Sequence, residues 1–144
     1  MYGDSTAARK RVGQLREQAG DIRATADRLV ASAESVPWHG RAAESMRARI
    51  KERAAHLRTA AAAHDTAADS LARHLGEVDR LKDAIEVRER KANSLVEDAR
   101  ARAAQDGRAP TPDATEDDEE RALLAFSPPP AGHLDWLTAE LPGL

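Results

Sequence analysis

The chain has 144 residues, of which 33% are charged and 3% aromatic, and it contains no cysteine. Alanine dominates the 41% counted as hydrophobic, so a core built here gains little at ~25 cal/mol per Å² of buried apolar surface. Disulfides and thiolate metal or redox chemistry are excluded, and no apolar run approaches the ~18 residues of a transmembrane helix.

The net charge of −3 hides a split: residues 1–109 carry 21 Lys+Arg against 17 Asp+Glu, and residues 110–144 carry 1 against 8. In the body the signs are mixed along the chain. That pattern reads as a solvated helical surface and not as the one-signed stripe of a nucleic-acid binder. Met1-Tyr2-Gly3-Asp4-Ser5-Thr6 lacks the basic-then-apolar layout of a cleavable signal peptide. The chain is therefore expected to be cytoplasmic before any export.

Asp4, Ser5 and Thr6 are good N-cap residues and predict a first helix over about 4–36. Its apolar positions step by threes and fours without a miss. Val12, Ala19, Ala26 and Ala33 hold one heptad position, and Leu15, Ile22, Leu29 and Val36 the other. Pro37 then disfavours helical geometry at Val36, and Gly40 gives backbone freedom before Arg41-Ala42-Ala43. The turn is 37–40, with Trp38 at its tip.

A second helix is predicted over about 41–106. Its stripe includes Ala43, Met46, Ile50, Ala54, Leu57, Ala61, Ala68, Leu71, Leu75, Val78, Leu81 and Ile85, followed by Ala92, Leu95, Ala99 and Ala103. The 4–4 step at Met46-Ile50-Ala54 shifts the heptad phase as a stutter does. If the chain doubles back at Trp38, Asp4 lies level with about Arg73 and the second helix overshoots by ~30 residues, or ~45 Å. The overshoot protrudes, bends near Gly76, or is covered by another chain.

Residues 1–107 thus form a helical region, and 108–144 an acidic, proline-containing tail expected to be flexible. Short docking helices are candidates at 117–126 and 133–141, where Phe126, Leu134, Trp136, Leu137 and Leu141 supply apolar weight.

No catalytic constellation emerges. His56, His64 and His74 lack the spacing of a metal pair on one helical face. The carboxylates sit on solvated helices without a desolvating cleft. There is no phosphate loop and no nucleophile elbow, so neither a metal nor another cofactor is expected, and the chain does not read as an enzyme. The amphipathic faces mix acids with arginine and favour a helical partner over membrane insertion.

Pro37-Trp38-His39-Gly40-Arg41-Ala42-Ala43, set between two long seams, resembles the Trp-x-Gly family of early-secretory-antigen-like helical-hairpin substrates of type VII secretion. The likeness extends to the N-terminal targeting domains of effectors in that pathway and covers roughly residues 5–105. It implies an all-α fold: an antiparallel two-helix hairpin that completes a four-helix bundle by dimerisation, often with a different partner. In that family the turn lies beside a Tyr-x-x-x-Asp/Glu signal, and the two together mark a protein for export.

Trp38 and Gly40 match the first half of that signal. The second half is degenerate. His74 stands near the expected tyrosine with Val78 four residues on, and Leu75-x-x-x-Asp79 is a loose substitute. The resemblance therefore implies a secretion-associated partner protein that pairs with a helical-hairpin substrate or an effector's N-terminal domain, with a secretion ATPase as a further contact. A hetero-oligomer is favoured over a homodimer. Val12, Leu15, Ile22, Leu29, Met46, Ile50, Leu57, Leu71 and Leu75 are the expected partner-binding seam. The alternative is a self-associating coiled-coil scaffold without a secretion role, in which Trp38 is a core plug.

Overall fold

A computed structural model describes residues 5–106 and 116–144. Every regular element among them is helical: α1 (Ser5–Ser35), α2 (Arg41–Asp106), α3 (Glu116–Leu124) and a short 3-10 helix at Leu134–Leu137. The expected cap at Asp4 and the linker at 108–115 lie outside the described residues. Two compact units divide the chain, Tyr2–Glu77 and Val78–Leu144, and α2 contributes to both. The division falls inside α2 and not at residue 107.

In the first unit the 3.5-residue period decides what is buried. On α1 the buried side chains are Val12, Ala19 and Ala26, seven residues apart; on α2 they are Ala43, Ala54, Ala61 and Ala68. The step from Ala43 to Ala54 is one stutter longer than the heptads that follow. Arg16–Asp69 (3.1 Å), Arg58–Asp27 (2.7 Å), Lys51–Glu34 (3.4 Å) and Arg23–Asp65 join the two helices. Numbers rise on one helix as they fall on the other, as antiparallel neighbours require. This register sets Ala19 level with Ala68 and Ala26 with Ala61.

Each buried alanine contributes only about a methyl group, ~0.8 kcal/mol. The exposed ion pairs add between zero and ~1 kcal/mol apiece and serve chiefly to fix register. α2 continues without a break through Gly76.

The second unit is built differently. The far part of α2 offers Ile85, Ala92, Val96 and Ala99 as a buried stripe, and the C-terminal segment of the same chain covers it. Within the tail of 108–144, expected to be flexible with candidate docking helices at 117–126 and 133–141, residues 116–144 hold α3, the 3-10 helix and a packed strap. The physical reason is area. Trp136, Leu123 and Phe126 carry much more apolar surface than the alanines of α2, and that surface leaves water against Ile85, Ala92 and Val96.

Trp136 is 1% exposed, the largest fully buried side chain. Its indole N–H donates to the Pro130 carbonyl at 3.0 Å, and Phe126 stands tilted against it with ring centroids 6.1 Å apart. Arg88 donates to the carbonyls of Trp136 (2.8 Å) and Ala139 (2.6 Å). The Glu89 carboxylate accepts the Gly132 N–H at 3.1 Å, and Gly132 has φ of 71°. His133 caps the 3-10 helix by accepting from Asp135 N–H.

Of the expected docking residues, Phe126, Leu137 and Leu141 pack with Trp136 or beside it. Leu134 is corrected: it is 48% exposed. Leu81, placed on the sequence stripe, is also exposed, and Val96, outside that stripe, is buried.

Trp136→Ala removes the largest side chain packed between strap and helix and should cost about 3–5 kcal/mol. Hydrogen exchange checks it: amides of 123–144 should lose protection while those of α1 keep theirs.

Candidate functional site

The turn between α1 and α2 is fixed by backbone chemistry. Trp38 N–H donates to the Val36 carbonyl at 2.8 Å, closing a tight three-residue turn whose central residue, Pro37, is held near the φ that turn needs. Gly40 has φ of 104°, a conformation L side chains rarely adopt, and its carbonyl accepts Glu44 N–H at 3.1 Å as the first intrahelical bond of α2. A Cβ at Gly40 would meet nothing within 4 Å, so the requirement for glycine lies in the backbone and not in crowding.

Arg47 completes the turn. Its guanidinium donates to the carbonyls of Ala33 (3.2 Å), Val36 (2.9 Å) and Trp38 (2.7 Å). The last carbonyls of a helix have no intrahelical donor, and a cation there also suits the helix dipole. Arg47 stands seven residues before Ala54, so it occupies a seam position at the level where α1 ends. Sequence reasoning missed it. The signal was the arginine in phase with three alanines.

Trp38 is 58% exposed. It flanks an apolar cleft of about 120 Å³ lined also by Ala33, Val36, Ala43, Met46, Arg47 and Ile50. The cleft is the end of a longer apolar side. On a helix with a 3.5-residue period, the position three after the seam lies about 50° to one side of it, and in an antiparallel pair these positions turn to the same side on both helices. They are Leu15, Ile22, Leu29 and Val36 on α1, and Ile50, Leu57, His64 and Leu71 on α2. Leu15, Ile22, Ile50, Leu57 and Leu71 are half-buried, whereas Leu29, Val36 and the neighbouring Met46 are exposed. The ion pairs occupy the opposite side.

Of the expected seam, Val12 is buried between the helices and Leu75 is half-buried. His74 is exposed and Asp79 is partly buried. His74 is 34 residues beyond Gly40 on α2, which at 1.5 Å per residue is roughly 50 Å along the helix. A continuous helix thus holds Trp38 and His74 of a single chain far apart, in keeping with the expected level of Arg73 opposite Asp4.

Among the described residues no group of three or more His, Asp or Glu is placed to hold a metal ion, and no helix is long and apolar enough to cross a membrane. Comparison with protein-family models, with curated proteins and with solved structures finds no match to this chain.

Arg47→Met keeps the volume and removes the donors. It should lower stability to urea by about 1.5–4.5 kcal/mol, since three bonds worth ~0.5–1.5 kcal/mol net each are lost. Arg47→Lys should recover only part of this, a single ammonium being unable to span three carbonyls as the guanidinium fork does.

Proposed function

We propose that this chain is a type VII secretion-associated helical-hairpin protein. It pairs with a helical-hairpin substrate or an effector's N-terminal domain, completes a four-helix bundle with it, and helps target it for export. One observation carries the reading. The α1–α2 seam buries almost nothing but alanine, while Leu15, Ile22, Leu29, Ile50, Leu57 and Leu71 gather on one side and remain open or half-open. A second helical pair is the natural cover for a two-helix apolar side of that length.

The pairing also bears on the incomplete signal. An antiparallel partner brings its own second helix past the Trp38 turn, and a tyrosine signal on that helix would stand where His74 of this chain cannot reach. Under this reading the chain resides in the cytoplasm until the pair meets the secretion ATPase, and its work is recognition and not catalysis. The exposure of Trp38 favours this reading over the self-associating scaffold, which needs Trp38 as a core plug.

Trp38→Ala separates the two readings. Under the secretion reading the unfolding free energy stays within about 0.5 kcal/mol, as for other surface substitutions, and export of the co-expressed partner in the native host stops. A loss of several kcal/mol with export intact would favour the scaffold.

A further inference from the structure

We propose that the apolar side of α1 and the first half of α2 accepts a helical pair with an acidic rim, and that a second copy of this chain is the poorer fit. This rests on the pairing function above and adds the chemistry of the partner.

The two sides of the helix pair differ in how their charges are satisfied. On the ionic side, Arg16, Arg23, Lys51 and Arg58 each have a carboxylate from the other helix. On the apolar side, the rim is set by the residues immediately preceding the seam positions. On α1 these run Arg11, Gln18, Thr25, Ser32; on α2 they include Arg53 and His74, with alanine between them. No carboxylate stands in either rim. Arg11 and Arg53 are exposed, and neither has a hydrogen bond or ion pair among the described residues.

An unpaired guanidinium is harmless in water and costly once a partner covers it. Desolvating a charge without an opposing one is unfavourable, and like charges across an interface suppress wrong partners. A second copy would bring only guanidinium, imidazole and neutral groups to this rim. A partner with Asp or Glu at its rim would supply the missing counter-charges, at both ends of the apolar side.

The chain itself provides the probe. The double variant Arg11→Glu with Arg53→Glu has the same apolar side and an acidic rim, and both substitutions are at exposed positions. We would measure association by sedimentation equilibrium for wild type alone, variant alone, and the two mixed at low salt. The mixture should form a one-to-one complex at least about 10-fold tighter than either protein alone. Added salt should reduce that advantage, and Leu57→Asp in either component should abolish the complex.

Wild type associating with itself as tightly as with the variant would overturn the acidic-rim proposal and leave pairing through this side intact. No complex in the mixture, with both proteins fully helical by circular dichroism, would overturn it as well. The secretion reading is decided apart from either result, by the export measurement on Trp38→Ala.

Discussion

The closeness that alanine permits is the constraint from which the first unit follows. With Ala19 and Ala26 level with Ala68 and Ala61, the two helices meet through methyl groups, and interaxial distance follows the size of the side chains at the contact. Leucine and isoleucine cannot share that gap. They are displaced to one side, where they stay partly in water, and arginine–carboxylate pairs form on the other. A single packing choice thus yields a thin core, an apolar side and an ionic side together. The stability forgone within the chain reappears as surface available to a partner.

The second unit solves the same shortage of apolar bulk by a different route. There the cover is one indole and its neighbours, brought from more than thirty residues along the sequence to meet Ile85 and Ala92. Two arginines play parallel parts in the two units. Arg47 gathers three carbonyls where α1 ends, and Arg88 gathers two where the 3-10 helix ends. Each lets irregular backbone lie against a helix without leaving acceptors unpaired.

The helices and the turn were legible because their signals are local. Seven-residue spacing marks Val12, Ala19 and Ala26, Pro37 stops α1, and the positive φ at Gly40 accounts for a glycine beside Trp38. The 4–4 step at Met46-Ile50-Ala54 likewise reads directly as the longer interval between Ala43 and Ala54. What the sequence hid depends on distant partners. Arg47 in isolation reads as one more solvated charge on α2. Arg88 and Glu89 give no hint that they hold the backbone at Trp136, Ala139 and Gly132. The acidic, proline-containing stretch reads as flexible tail from its charges, and while Phe126, Trp136, Leu137 and Leu141 mark candidate docking segments, nothing local says that they dock on Ile85 and Ala92. Val96 falls in step with Ala92 and Ala99 and packs in one cluster with Leu123, but the sequence stripe took its neighbour Leu95 at that step instead.

The placement of the two tryptophans gives the molecule a pair of built-in optical probes, one in each unit and in opposite surroundings. Trp38 is 58% exposed and Trp136 is 1% exposed. An aqueous collisional quencher therefore reaches the first indole and not the second, and emission from the second stays on the blue side, as an apolar setting requires. A partner seated over the cleft at the turn would shield Trp38 while Trp136 reported that the rest of the chain had not changed. Binding in one unit and folding in the other can be followed in one sample, without any label.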